Sequence, residues 1–359
     1  MKRPVRALSL LALLGCFVSC GGHSVDLDQP QSNVGSAAAG DPGAVQYVAL
    51  KDAMGRFLVD EGQVFVESNN GAVRGCVFEQ CANTAVDYGP SDPSAPVFLS
   101  GLSTADVYFG QWIGDQIDAD VRLVRCPRSG CKNGFEYVLQ DETFDEWGLS
   151  VAVDATHVYW TSSFDILRCL VQGCGEVPEL VAKGQANVSH IDLGTDRIYY
   201  GQFDDALQAF SAWSAPKDGS TEPTELGPGG DAISLGGGVR VNAMNAYWVD
   251  NEKIESCPLN GCGGAAPKIL VATDTPKYSL KVDGAGLYWL EALGDDTVLR
   301  FCPVAGCPAG TEPSLLVPDS IRQYELDSVY VYFLTSTDRA KPDDHFNTLY
   351  RVAKPKPAP

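Results

Sequence analysis

Five pairs of cysteines share one spacing. Cys76/Cys81, Cys126/Cys131, Cys169/Cys174, Cys257/Cys262 and Cys302/Cys307 each stand five positions apart and together account for ten of the twelve cysteines. Three of the intervals, CPRSGC, CPLNGC and CPVAGC, read C-P-x-x-G-C; CLVQGC lacks the proline, and CVFEQC lacks both proline and glycine. A further interval, SAPKDGS, keeps the proline and glycine but has Ala215 and Ser220 at the cysteine positions. The joint loss is what a bond between the two cysteines predicts, since either thiol alone would be free and reactive. A unit repeated in this way constrains the fold before any other signal.

A second marker repeats in step with the first. Before each of these six turns, and once more after the last of them, lies an aromatic-rich run: VDEGQVFV, LSTADVYFG, VDATHVYWTS, GTDRIYYG, VNAMNAYWVD, VDGAGLYWLE and LDSVYVYFLTS. Their aromatics at Phe65, Tyr108, Tyr159, Tyr199, Tyr247, Tyr288 and Tyr332 recur roughly every 45 residues, the period of a four-stranded propeller blade. After the turns come short apolar runs such as PELVA, PTELG, PKILVA and PSLLV. Each unit thus reads as four strands separated by Gly, Pro, Asn and Asp clusters. The last unit, TLYRVAKPKPAP, stops at its third strand, and VQYVAL (Val45 to Leu50) can supply the missing fourth. The expected fold is all-β: a seven-bladed β-propeller of four-stranded antiparallel blades, residues 45–359 forming one domain. Closure of the ring by the N-terminal strand removes an otherwise exposed sheet edge.

The Tyr-Trp strand, the I-x-R strand that follows it and the P-K-D-G-S turn resemble the YWTD class of β-propellers, found in receptor ectodomains, and the wider set of bacterial secreted propellers of unknown function. The resemblance covers about residues 45–359. It implies the fold and, through that set, a bacterial source; no ligand-binding residue is carried over. Seven units stand where the receptor class has six, and the cysteine clip is no part of that pattern.

A hairpin between the third and fourth strands brings its base within disulfide reach, because paired strands lie about 4.8 Å apart and bridged Cα atoms about 5.5 Å apart. On the chain-entropy model so short a loop contributes about 2 kcal/mol per bridge. Zinc needs four ligands gathered at one point, whereas successive blades hold these turns apart and the chain has only four histidines. Five copies and the absence of C-x-x-C also argue for scaffolding over redox chemistry. Neither a metal nor another cofactor is expected.

Disulfides call for an oxidising compartment, and the N-terminus reads as an export signal. MKRPVR is basic, ALSLLALLGCFV is apolar and too short to span a bilayer, and SCGG follows. The end of residues 1–20 resembles a lipoprotein lipobox, with Cys20 (FVSC) as the lipidated residue and Cys16 (LLGC) as the alternative. Cleavage before Cys20 leaves one lipidated cysteine and ten paired ones; cleavage before Cys16 orphans Cys20. An ordinary secreted protein is the other reading. Residues 21–44, small and polar, form a flexible tether. The expected address is the extracytoplasmic bacterial cell envelope, with membrane contact through the lipid anchor only. The formal charge of −20 becomes −23 once Lys2, Arg3 and Arg6 are removed with the signal. That charge repels nucleic acid and anionic membrane surfaces, and the chain is expected to be a monomer.

No catalytic constellation is visible. His23, His157, His190 and His345 form no cluster, and G-x-S-x-G, H-E-x-x-H and the P-loop are absent; His190 is the one expected nearest the central channel. Asp204-Asp205, Asp295-Asp296 and Asp343-Asp344 are read as solvated loop charges, without the twelve-residue calcium loop. Asp60, Asp154, Asn242, Asp283 and Asp327 recur at one place per unit, replaced by Ser103 and Gly194. They suit turns, because Asp and Asn hydrogen-bond their own backbone; the alternative is a cation-binding ring at one mouth of the channel. The Tyr-Trp strands read as packing between sheets, and GPGGDAISLGGG (227–238) as a connection. Two functions follow. One is a membrane-anchored recognition or scaffold module binding an unidentified protein, peptide or glycan through propeller loops, of which 87–97, 110–120 and 335–346 are the long candidates. The other is a lyase or hydrolase acting on a polysaccharide or peptide in the channel.

Overall fold

The computed structural model describes residues 31–32, 46–49, 53–68, 73–88, 97–113, 120–132, 134–138, 144–145, 149–162, 165–174, 177–183, 188–204, 209–228, 238–294, 296–307, 312–317, 321–336 and 346–355. Cys16, Cys20, His23, His345, Asp205, Asp295 and the Asp343-Asp344 pair lie outside them, as do most of residues 21–44.

Blade 3 shows the unit. Its strands Val151–Val153, His157–Ser162, Asp165–Leu170 and Glu179–Ala182 pair antiparallel in chain order. The same order recurs in blade 1 (53–87), blade 2 (97–145), blade 4 (188–228), blade 5 (240–272) and blade 6 (277–317). In blade 7 (321–353) the fourth strand comes from the other end of the chain: Gln46–Ala49 pairs with Phe346–Ala353, Gln46 opposite Arg351 and Ala49 opposite Thr348. Gln31–Ser32, within the segment read as tether, pairs with Gln46 and Tyr47 as a fifth strand. The seven blades form the ring that the repeats predict.

The second strands are not alternating but nearly continuous in apolar residues, since each blade is packed on both faces by its neighbours. In HVYWTS four consecutive residues are buried, the pattern of a strand covered on two sides. Trp160, Trp248, Trp289 and the recurrent tyrosines from Tyr108 to Tyr332 are fully buried, each contributing about 2–3 kcal/mol of apolar burial. The aromatics are therefore core. At the junction of the chain's two ends, Tyr332, Leu334 and Leu349 of blade 7 pack with Phe57, Val64 and Val66 of blade 1. The Gln323 amide there acts like a strand partner for Phe57, accepting from its N–H at 3.1 Å and donating to its carbonyl at 2.6 Å.

The interval without proline or glycine departs from the hairpin form. CVFEQC carries a 3-10 turn (Phe78–Gln80) and a single helical turn (Cys81–Thr84), with Phe78 buried and the Val77 N–H bonded to Thr84 Oγ1 at 2.9 Å. Lacking glycine, the segment closes through residues in ordinary backbone regions. No helix among the described residues is long and apolar enough to cross a membrane.

Candidate functional site

Strand order divides the ring into two faces. The first-to-second turns and the cysteine hairpins lie at one face, and the second-to-third and fourth-to-first connections lie at the other. At the hairpin face the five cysteine pairs are bridged, with Cα–Cα distances of 4.7 to 5.2 Å. The glycine of C-P-x-x-G-C has two jobs. At Gly306 φ is +99°, and a Cβ there would stand 2.9 Å from the Leu270 carbonyl on the outer strand of blade 5. At Gly219 a Cβ would likewise stand 2.6 Å from the Leu180 carbonyl of blade 3, so at these two hairpins only glycine allows both the left-handed turn and the approach, whereas Gly173, with nothing within 4 Å, serves the turn alone.

The recurrent acids take the turn role. Asp154 Oδ1 accepts from the Thr156 and His157 N–H groups at 2.8 and 2.9 Å, Asp283 Oδ1 from Ala285 and Gly286, Asp327 Oδ1 from Val329 and Tyr330, and Asn242 Oδ1 from Met244 and Asn245. The second carboxylate oxygen has a use that sequence reasoning missed. Lys217, two residues past the first cysteine position of blade 4, bonds Asp154 of blade 3 at 2.8 Å. Arg128 of blade 2 pairs likewise with Asp60 of blade 1, and Lys354 of blade 7 with Asp283 of blade 6. Where the turn residue is Ser103, Gly194 or Asn242, the next unit carries apolar Val171, Leu259 or Val304 instead. At Asp327 the next unit has Phe78; the Tyr332 hydroxyl donates to Asp327 at 2.7 Å, and Arg351 lies over the Phe78 ring at 4.6 Å. The pattern was visible as a cation one unit downstream of each of three acids. The cation these acids hold is thus a neighbouring side chain.

Inner strands line the axis. Two residues before the turn position, blades 1 to 3 carry Leu58, Gly101 and Ala152, whereas blades 4 to 7 carry Asp192, Arg240, Lys281 and Glu325. These charged groups tie adjacent blades: Asp192 Oδ2 accepts from the Val241 N–H at 2.9 Å, Arg240 Nε donates to the Leu280 carbonyl at 2.7 Å, and Lys281 Nζ reaches both Glu325 oxygens at 2.9 Å. His190 lies on the inner strand of blade 4 against Gly238, where a Cβ would sit 2.5 Å from the His190 Cβ. Gly238 ends the glycine run; residues 229–237 lie outside the described set. Burial, reinforced by the Arg240 and Lys281 charges, holds the His190 imidazole well below its ordinary range. A histidine so placed is neutral and a weak proton acceptor. The channel thus brings together histidine, cations and an acid, the grouping that would favour an enzyme, but most of these groups already bond neighbouring blades.

A groove of about 590 Å³ lies between blades 3 and 4 at the hairpin face, with His157, Asp154 and Lys217 on its walls. His157, expected in the turn, is the first residue of the second strand of blade 3, and its Nδ1 meets Thr156 Oγ1 at 2.8 Å. Burial pushes Asp154 upward, but the Lys217 ammonium and the turn's N–H groups outweigh it and hold the carboxyl far below the usual carboxylate range. Among the described residues no group of three or more His, Cys, Asp or Glu is arranged to hold a metal ion.

Seven antiparallel blades closed in a ring decide the architecture. The fold is a β-propeller. No family model matches the chain, and no curated protein matches its sequence. Solved structures do match it in shape. The computationally designed Ika8 protein superposes with TM-score 0.55 at 8% identity, over 88% of this chain and 95% of that one. The WD40 β-propeller domain of Doa1 superposes with TM-score 0.52 at 12% identity, over 86% and 96%. A chain from a study of two prolyl endopeptidases gives TM-score 0.56 at 11% identity, over 79% of this chain and only 46% of that one. Identities this low speak to fold alone.

Proposed function

We propose that this propeller is an extracytoplasmic recognition or scaffold module, tethered to a bacterial membrane through lipidated Cys20, that binds a protein, peptide or glycan at the face opposite the cystine hairpins. The observation that carries the reading is the segregation of connections. Six of the seven first-to-second turns span three residues, and the hairpins beside them are bridged or latched to the preceding blade. At the other face the second-to-third connections range from two residues (163–164) to nine (337–345), and the fourth-to-first connections include 88–96 and 229–239. A frame pinned at one end with unequal connections at the other suits recognition, because loops carry binding while the frame supplies rigidity. The cystines support export, and the sequence around Cys20 supports the anchor.

The test replaces 337–345 and, separately, 114–119 with short Gly-Ser linkers, and captures ligands from envelope extracts with each purified propeller. Loss of a captured ligand with an unchanged melting temperature is the expected result. Identical capture by parent and both variants would move recognition away from these loops. For the anchor, Cys20→Ser should shift the protein from the membrane to the soluble envelope fraction; continued membrane attachment would transfer the role to Cys16 or remove it.

A further inference from the structure

Unit 4 has Ala215 and Ser220 in place of the hairpin cysteines, and a groove lies beside its hairpin. The turn itself survives. Gly219 N–H donates to the Pro216 carbonyl at 3.1 Å, as Gly130 does to Pro127 and Gly261 to Pro258 in cystine turns at 2.8 Å. Asp218 Oδ1 accepts from the Ser220 N–H at 3.0 Å and steadies the tip. Ala215 is as buried as the first cysteines of the bridged turns. The second position differs: Ser220 is exposed, whereas Cys81 is buried and Cys131, Cys174, Cys262 and Cys307 are half-buried. Without a bridge, the return leg stands out in solvent beside the groove of about 590 Å³, a volume in the range of small-ligand sites.

The chemistry of the walls selects the ligand. Three acids, Asp154, Asp196 and Asp218, face three cations, Arg168, Arg197 and Lys217, so the charges balance in a chain of formal charge −20. The cations are engaged: Lys217 with Asp154 at 2.8 Å, Arg168 with the Lys217 carbonyl at 2.7 Å, and Arg197 with Ser214 Oγ at 3.0 Å. The engaged cations leave an anion no free partner, and burying such walls against an apolar ligand would strand polar groups. What remains is a set of hydrogen-bonding groups that between them donate and accept. Among the described residues, the Thr195 and Thr221 hydroxyls and the Asp196 carboxylate make no side-chain hydrogen bond, and His157 has only its Nδ1 occupied. Hydroxyls that both donate and accept, beside a carboxylate and an imidazole, match a ligand that is itself a neutral array of hydroxyls.

We propose that the groove between blades 3 and 4 binds a neutral saccharide and is open because unit 4 lacks the cystine. The site lies on the face opposite the proposed recognition loops and stands or falls independently of them.

The test uses the mature propeller on an array of neutral oligosaccharides with hexuronate-containing counterparts, followed by titration calorimetry on whatever is retained. Retention of a neutral oligosaccharide is expected. The double variant Ala215→Cys/Ser220→Cys, which restores the sixth bridge, should melt no lower than the parent yet bind at least tenfold more weakly. Thr195→Val, which leaves every hairpin intact, should also lose about tenfold, so the result does not depend on the new bridge forming. Retention of no oligosaccharide or only of charged ones, full affinity in a demonstrably bridged variant, or full affinity in Thr195→Val would each overturn the proposal. Replacement of 337–345 should leave saccharide binding intact, which separates this site from the loop face.

Discussion

The Lys217–Asp154 latch offers a quantitative test of how the blades hold together. Lys217→Met removes the ammonium but keeps an apolar stem, and Asp154→Asn keeps the Oδ1 acceptor that the Thr156 and His157 N–H groups need. The two side chains are 15% and 24% exposed and 2.8 Å apart. An exposed pair is worth less than about 1 kcal/mol, whereas breaking a fully buried one costs about 3–5 kcal/mol. A coupling of about 1–2 kcal/mol between the two substitutions follows from this intermediate burial. It is measurable as a double-mutant cycle in urea, with the buried tryptophans as the fluorescent probe. The pH dependence has a definite sign. The folded Asp154 carboxyl titrates below its ordinary value, which is about 3.9 in an unfolded chain, so its stabilisation is complete near neutral pH. That stabilisation is lost as pH falls from about 5 through the unfolded value toward the folded one. The coupling should therefore be full at pH 7 and shrink steadily in acid. A coupling near zero at pH 7, or one unchanged on acidification, would refute the latch.

Deleting Gln46–Ala49 removes four paired residues from blade 7 and should cost about 4 kcal/mol, at about 1 kcal/mol per ladder hydrogen bond; scanning calorimetry that finds an unchanged melting temperature would show that this strand does not close the ring. Gly306→Ala should destabilise by at least 2 kcal/mol, because strain at positive φ adds to a Cβ 2.9 Å from the Leu270 carbonyl. Gly62→Ala, at φ +78° with nothing within 4 Å, should cost only about 1 kcal/mol, and equal losses in urea would remove the close-approach explanation of the motif. Peptide mapping without reductant should recover five local cystine peptides, Cys76/Cys81 through Cys302/Cys307; pairing between blades would refute the staple.

The blade count and the strand that closes the ring were legible because both depend on order along the chain. Seven aromatic runs give seven second strands, and a final unit one strand short demands a substitute. The turn role of the recurrent acids was legible too, since an Asp carboxylate bonds N–H groups only two and three residues away. The other partner of Asp154 left only a trace, a cation one unit downstream; Lys217 is 63 residues distant, and only the stacking of consecutive blades brings it to the carboxylate. The same holds for His190, whose cationic neighbours Arg240 and Lys281 belong to two later blades.

Local periodicity thus specified the repeated sheet, its hairpin and the number of copies, since those follow from bonds made within about 45 residues. Closure of the ring decided everything that depends on one blade meeting the next. It determined which acids face which cations, and that a groove lies between blades 3 and 4. Those relations arise from packing across seams, where residues far apart in sequence share a surface that no single repeat contains.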